Sequence, residues 1–184
     1  ISIGTSSSNV ASYALALGNG SNIASGADYG IAAGYKTSVS AQQGIAIGTQ
    51  TKATASLAMA IGNNASASGE NAIAVGKSTI ASDGDAVSIG TSSQATGGDS
   101  IALGKSSKAT SGDTIAIGQD AEANTLNAVA LGKTSKASGS SATALGPQST
   151  ASGIAAIAIG LNSNVTGFQA IGIGMTSRAS GKNS

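Results

Sequence analysis

The feature that most constrains this chain is a glycine that recurs at every fourteenth position from one end of the sequence to the other. We call these residues the anchor glycines, and each coil of the chain is named after its anchor. Only one of the intervals between them is longer, by two positions. The anchors are Gly4, Gly18, Gly34, Gly48, Gly62, Gly76, Gly90, Gly104, Gly118, Gly132, Gly146, Gly160 and Gly174. A fixed period of this kind predicts a stack of equivalent supersecondary units.

Each anchor ends a short segment in which large and small apolar residues alternate, as in Ile45-Ala46-Ile47-Gly48. The residue directly before the anchor is Ile, Leu or Val in twelve of thirteen coils, with Ala33 the exception. We expect each anchor to be a turn glycine that adopts a positive φ or lets backbones approach closely. A second apolar column, mostly alanine, follows five residues after each anchor except the first, where Asn9 interrupts it. Two segments of period 2 separated by Gly, Ser, Asn and Asp turns predict two strands per coil, since a helix needs a longer uninterrupted run. We call them the aliphatic strand and the small-residue strand.

The predicted fold is therefore all-β: a parallel β-roll, or β-solenoid, of 14-residue coils with two short strands per coil. About 13 coils fill residues 1–184 as a single β-roll, with one irregular 16-residue coil at 19–34. Aromatic residues make up only 2% of the chain, and there are 27 glycines, so a single large core of interlocking bulky side chains cannot be filled. The sequence predicts a thin, repeated core instead.

Composition also excludes several functional classes. The chain has no His and no Cys, which removes the usual general base, thiol nucleophile, zinc ligands and disulfides. We expect no catalytic residues, no cofactor, no metal site and no enzymatic activity. Nine Lys and Arg against eight Asp and Glu, with almost no aromatics, also argue against nucleic-acid binding. No run of apolar residues is long enough to span a membrane, so no direct membrane contact is expected.

The distribution of charge predicts an assembly. No charged residue occurs in any coil from four residues before the anchor up to the anchor itself. Both faces of the aliphatic strand are therefore uncharged, and a strand of this kind is expected to be covered on both faces, although a two-strand roll covers only one. A homo-oligomer packed along the aliphatic strands supplies the second cover. The alternation alone leaves open which face points into the roll and whether the symmetry is twofold, threefold or fourfold.

The repeats resemble the YadA-like head repeats of trimeric autotransporter adhesins, whose motif runs Asn-Ser-Val-Ala-Ile-Gly-x-x-Ser-x-Ala-x-Gly. Residues 127–139 read Asn-Ala-Val-Ala-Leu-Gly-Lys-Thr-Ser-Lys-Ala-Ser-Gly, and 71–76 and 99–104 are further good copies. The resemblance implies a left-handed β-roll, a homotrimer, and a location on the bacterial cell surface, projecting from the outer membrane. It also implies binding to a host extracellular matrix protein such as collagen, laminin or fibronectin. The family's neck, stalk and membrane anchor are not recognisable, so we expect a fragment of a head.

Two sets of candidate site residues follow. The candidates for buried or trimer-core positions are the aliphatic residues Ile47, Ile61, Val75, Ile89, Leu103, Ile117, Leu131 and Ile159. The candidates for ligand contact are a stripe of lysines and the three tyrosines around the irregular coil: Lys77, Lys105, Lys108, Lys133, Lys136, Tyr13, Tyr29 and Tyr35. Solvated lysines that keep the surface soluble are the alternative interpretation of the stripe. Asp85, Asp99 and Asp113 form an acidic column with the same period as the anchors.

The leading functional hypothesis is a non-enzymatic adhesive head whose repeated surface columns bind an extended partner by summing weak contacts. The first alternative is a passive rod or spacer of a surface fibre. Ice binding is a distant third, because it favours a flat column of Thr. The column three residues after the anchor is instead a mixture of Ser, Thr and Ala.

Overall fold

A computed structural model describes every residue from Ile1 to Ser184 and contains 26 short β-strands and no helix. With no helix present, nothing helical in this chain could cross a membrane. The chain divides into two compact units, Ile1–Ser92 and Ser93–Ser184, which have the same internal architecture. In both units aliphatic strands and small-residue strands alternate along the chain.

In the first unit the aliphatic strands are β1 (Ser2–Ile3), β3 (Leu15–Leu17), β5 (Ile31–Tyr35), β7 (Ile45–Thr49), β9 (Met59–Ile61), β11 (Ile73–Val75) and β13 (Val87–Ile89). Its small-residue strands are β2 (Ser8–Asn9), β4 (Asn22–Ile23), β6 (Ser38–Val39), β8 (Lys52–Ala53), β10 (Ser66–Ala67) and β12 (Ile80–Ala81). In the second unit the aliphatic strands are β15 (Ile101–Leu103), β17 (Ile115–Ile117), β19 (Val129–Leu131), β21 (Thr143–Leu145), β23 (Ile157–Ile159) and β25 (Ile171–Ile173). Its small-residue strands are β14 (Gln94–Ala95), β16 (Lys108–Ala109), β18 (Glu122–Ala123), β20 (Lys136–Ala137), β22 (Thr150–Ala151), β24 (Asn164–Val165) and β26 (Arg178–Ala179).

Within each unit, every strand pairs in parallel with its equivalent in the next coil. In the first unit β9 and β11 pair with Met59 opposite Ile73, and in the second β15 and β17 pair with Ile101 opposite Ile115. The small-residue strands form a second parallel ladder with the same one-coil offset, as where Lys108 lies opposite Glu122. This arrangement confirms the predicted parallel β-solenoid of about 13 turns.

Two turns join the strands of each coil and lie at opposite ends of the aliphatic strand. The trailing turn consists of the two residues after the anchor glycine, and the leading turn consists of the residues seven to five positions before it. In coil 104 the leading turn is 97–99 and the trailing turn is 105–106. The irregular coil adds a further turn at 25–26, between β4 and β5, yet Leu15 still pairs with Ile31. The insertion is therefore absorbed outside the ladders.

The interior of the roll is filled by small side chains. In β15, Ala102 is fully buried, whereas Ile101 and Leu103 on either side of it are only half-buried. The small-residue strands contribute Ala109, Ala123 and their equivalents to the same interior. The largest fully buried side chains are Ile23, Val39 and Val165. The structure thus resolves the question that the alternation left open: the small face of the aliphatic strand points inward, and the large face points outward.

Buried hydroxyl groups are part of this interior. The side chains of Ser107, Ser135 and Ser149 are buried three residues after their anchors, and each donates a hydrogen bond to the carbonyl of its own anchor glycine, at 2.9, 2.8 and 2.8 Å. A buried hydroxyl needs such a partner. This column is the one considered above for an ice-binding face. Because it lies inside the roll, it cannot form an exposed ladder.

The anchor glycines are required by the close approach of successive coils. Their φ angles lie between 116° and 138°, a region that L side chains rarely adopt. A Cβ atom built on Gly104 would lie 2.7 Å from both the carbonyl carbon and the carbonyl oxygen of Gly118 in the next coil. The positive φ and the close approach together require glycine at the anchor positions.

The turns carry a second feature that sequence reasoning missed. The last residue of each leading turn and of most trailing turns is a non-glycine residue with positive φ, for example Asp99 at 52° and Ser106 at 57°. Such residues also supply backbone hydrogen bonds between turns, because Asp113 N–H donates to the Gly98 carbonyl and Asp120 N–H to the Lys105 carbonyl. The turns are therefore stacked ladders in their own right, and these bonds offset the cost of the left-handed conformation.

Replacing an anchor glycine should destabilise the roll. For Gly104→Ala we expect a loss of about 2 kcal/mol or more in the free energy of unfolding, because the added Cβ overlaps backbone that cannot move away and φ is unfavourable. Denaturant unfolding followed by circular dichroism measures this change. Gly84→Ala is the matched control, since a Cβ at Gly84 meets nothing within 4 Å. Equal midpoints for the two variants would contradict the proposed role of the anchor.

Candidate functional site: the outer surfaces of the coils

The outer face of the aliphatic strands is an uncharged apolar surface. It consists of the residues three positions and one position before each anchor, such as Ile115 and Ile117 in β17, with the buried Ala116 between them. In the second unit, Leu103, Ile117 and Leu131 lie opposite one another in adjacent coils. Large apolar residues in contiguous columns are unusual on the surface of a monomeric protein and mark an interaction site.

All eight candidates for buried or trimer-core positions lie on this outer face, and none lies in the interior of the chain. Ile47, Ile89 and Leu131 are about 40% exposed, at 39%, 41% and 39%. Ile61, Val75, Leu103, Ile117 and Ile159 are half-buried. Their interior neighbours are the alanines and serines described above. Burial of these eight side chains therefore depends on a second molecule and remains a prediction.

The structure divides the expected stripe of lysines into two columns. Lys77, Lys105 and Lys133 are the first residues of trailing turns, whereas Lys108 and Lys136 lie on small-residue strands. Glu122 lies between the latter two and forms ion pairs with both, at 3.6 Å to Lys108 and 3.1 Å to Lys136. The role of Glu122 was missed, although its offset of one coil from each lysine was a usable signal. The carboxylate partly neutralises this column.

The three tyrosines occupy two different edges of the first unit. Tyr13 and Tyr29 belong to leading turns, and their rings stack with centroids 5.2 Å apart at an angle of 10°. Tyr35 ends β5 at the opposite edge, where the Lys36 ammonium lies 5.1 Å from its ring centroid. The stacked pair is strongly exposed, with Tyr13 at 83%. An exposed aromatic pair of this kind is suited to contact with another molecule.

The acidic column lies on the leading turns. Asp99 and Asp113 are exposed residues of adjacent leading turns in the second unit, and Asp85 holds the equivalent position in the first. No group of three or more acidic side chains in the chain is arranged to hold a metal ion. The surface also has no concave pocket.

The parallel ladders of short strands and the apolar outer face are those of a parallel β-solenoid built from small coils. The family model of the YadA head domain repeat matches residues 24–51, 53–79, 81–107, 109–135 and 137–163. These segments cover most of the chain, and the chain therefore belongs to the YadA head domain family. The resemblance noted in the sequence is confirmed.

Among solved structures, the chain is similar to the crystal structure of the collagen-binding domain of the Yersinia adhesin YadA, with 21% sequence identity and a TM-score of 0.30. The match covers 95% of this chain and 65% of that chain. A comparison with curated proteins gave no match.

Proposed function

We propose that this chain is the adhesive head of a bacterial surface fibre, projects from the outer membrane, and assembles as a homotrimer through the outer faces of its aliphatic strands. The head binds an extended extracellular matrix protein, with collagen, laminin and fibronectin as the candidates. It has no enzymatic activity. The observation that carries the proposal is the uncharged outer face of the aliphatic strands in a chain of the YadA head family.

The energetics favour assembly through this face. Most coils present two large aliphatic side chains on this face, and covering them stabilises the assembly by about 1.5–3 kcal/mol per coil, or about 9–18 kcal/mol over six coils. The loss of rotational and translational freedom on association costs roughly 4–15 kcal/mol. The gain over the six or seven coils of one unit is therefore similar in size to this cost, and the coils of both units together exceed it.

With the aliphatic faces covered, the ligand meets the small-residue strands and the turns. The outward residues of the small-residue strands include Lys108 and Lys136, which repeat along the direction of stacking. A repetitive surface matches a long, repetitive partner, because many weak contacts add to a strong one when they are held on the same scaffold. The lysines of the trailing turns and the tyrosines lie at the edges, where they can reach either a ligand or a neighbouring copy.

The experiment combines mass and binding. Light scattering of the 184-residue chain should give three times the chain mass of 17.2 kDa. Immobilised collagen, laminin and fibronectin should then bind the trimer, with albumin as the control surface. Deletion of the two coils 109–136 should weaken binding while leaving the mass at three chains, because fewer repeats contribute.

A passive spacer is the second candidate, supported by the lack of a pocket and by the mostly polar residues that face outward on the small-residue strands. A trimer that binds none of the three matrix proteins would favour the spacer. A single chain in solution would contradict the assembly itself.

A further inference from the structure

The two edges of the roll differ in charge. In the first unit the charged residues of the trailing turns are Lys36 and Lys77, while those of the leading turns are all acids: Asp28, Glu70, Asp83 and Asp85. In the second unit the leading turns hold Asp99, Asp113 and one base, Lys182 in the last turn, while the trailing turns hold Lys105, Lys133 and one acid, Asp120. The uncharged aliphatic face therefore lies between a mainly basic trailing edge and a mainly acidic leading edge.

These edge charges have no ion-pair partner within the chain. The only ion pairs join Glu122 to Lys108 and Lys136 on the small-residue strands. The two edges of one coil are separated by the length of the aliphatic strand, roughly 10 Å or more for three extended residues and their flanks. An intramolecular ion pair across a coil is therefore out of reach, and the segregation of charge needs another explanation.

Three coils carry opposite charges on their two edges. Coil 76 has Glu70 on its leading edge and Lys77 on its trailing edge, and coil 104 has Asp99 and Lys105. Coil 34 places Asp28 beside Tyr29 on the leading edge and Lys36 beside Tyr35 on the trailing edge. Each edge of that coil therefore carries a tyrosine, and the two edges carry opposite charges.

Two coils carry exposed apolar side chains on both edges. In coil 160, Ile154 on the leading edge and Leu161 on the trailing edge are 55% and 45% exposed. In coil 174, Phe168 and Met175 occupy the corresponding positions and are also exposed. Side chains of coils 160 and 174 that never meet within one molecule are thus alike in polarity, which is expected if they meet between molecules.

Coil 118 departs from the pattern, because Asp113 and Asp120 carry the same charge. On its own edge, however, Asp120 lies between the coils of Lys105 and Lys133, and its backbone N–H donates to the Lys105 carbonyl. Coil 90 has Asp83 and Asp85 on the leading edge and only hydroxyl side chains, Thr91 and Ser92, on the trailing edge. These two coils carry no matched charge, and neither does coil 132, in which Lys133 is the only charged residue on an edge.

Symmetry determines which edges can meet. When identical rolls pack side by side around an axis parallel to the direction of stacking, the trailing edge of one copy faces the leading edge of the next, and equivalent coils lie at the same height. An antiparallel pair would instead place like edges together, with lysine against lysine. The charges of this chain favour only the parallel ring.

We propose that neighbouring copies of this chain are joined by seams in which the trailing turn of each coil contacts the leading turn of the same coil in the next copy. This inference rests on the proposed assembly through the aliphatic faces. The seams fix the register of the trimer. The aliphatic columns alone repeat nearly unchanged in every coil and would tolerate sliding by one coil, whereas the edge residues differ from coil to coil. Glu70–Lys77 and Asp99–Lys105 are intermolecular ion pairs in this arrangement.

Disulfide cross-linking tests the seams directly, because the chain has no cysteine of its own. The variant Glu70→Cys/Lys77→Cys, oxidised with glutathione disulfide, should give covalently closed trimers on a non-reducing gel. A disulfide requires Cα atoms about 4.4–6.8 Å apart, so the two cysteines of one chain cannot join to each other. Asp99→Cys/Lys105→Cys repeats the test in the second unit.

The matched control is Glu70→Cys/Thr49→Cys, which uses the same two edges but two coils apart, a displacement of about 9.5 Å along the stack. Cross-linking should be at least about tenfold lower than in the in-register variant, since this displacement exceeds disulfide reach. Each single-cysteine variant should remain uncross-linked, and a linked single variant would overturn the proposal, because like edges would then meet. Light scattering under reducing conditions separates the remaining outcomes. A mass of three chains in a variant that gives no in-register cross-links would overturn the seams alone. A mass of one chain would overturn both the seams and the trimer.

Discussion

Ile117→Asp is expected to dissociate the trimer. Ile117 lies on the outer face of β17, opposite Leu103 and Leu131 in the adjacent coils, and it has no charged residue of its own face within reach. In the proposed assembly the substitution places a carboxylate without a partner in a desolvated column of each copy. An unpaired buried charge of this kind costs about 3–5 kcal/mol. The protein concentration at which half of the chains are assembled should therefore rise by roughly 100-fold or more.

Light scattering across a dilution series measures this effect. Thr150→Asp is the matched control, because Thr150 is the outward residue of a small-residue strand and is half-buried to a similar degree. It should keep the mass of three chains over the same range of concentration. Retention of the trimer by Ile117→Asp would show that the aliphatic face is not the interface, and dissociation of both variants would show that assembly does not depend on one face.

The period, the two strands per coil and the role of the anchor glycines could all be predicted from the sequence, because each depends on local alternation and on a glycine at a fixed position. The face of the aliphatic strand that points into the roll could not be predicted. Ile101, Ala102 and Leu103 alternate equally well in either orientation, since a period of 2 assigns residues to two faces without saying which face is inside. The volume available between two closely packed strands decides the matter, and only small residues such as Ala102 and Ala109 fill it.

The candidate sites likewise include features that could be predicted from the sequence and features that could not. Lys108, Glu122 and Lys136 are related by the one-coil offset alone, so their ion pairs were predictable in principle. The separation of Lys105 from Lys108 was not, because it depends on where the trailing turn ends and the next strand begins. The left-handed turn residues gave no compositional signal either. Leu57 and Thr134 adopt positive φ as Asn71 does, because the ladder of turn hydrogen bonds imposes it.

The separation between inner and outer faces also explains how one strand can serve two purposes. Each coil needs a thin interior to stack closely, and each copy needs a broad apolar exterior to associate. Alternating alanine with isoleucine or leucine provides both within one short strand, since successive side chains point to opposite faces. Folding and assembly therefore depend on adjacent residues, and substitutions one position apart should affect different properties.

Ala116→Leu is expected to have the largest effect on the fold itself. Ala116 is fully buried in β17 and lies opposite Ala102 and Ala130, so only methyl side chains flank it in the ladder. Extra methylene groups in a packed core force the backbone apart, and with sheets this close we expect a loss of about 3 kcal/mol or more in the free energy of unfolding. Denaturant unfolding followed by circular dichroism measures this loss. The control is Ile117→Leu, a volume-conserving substitution one residue further along the strand. It should change the free energy of unfolding by less than about 1.5 kcal/mol. Similar midpoints for the two variants would mean that the interior tolerates large side chains, and the assignment of the alanine face to the core would then be wrong.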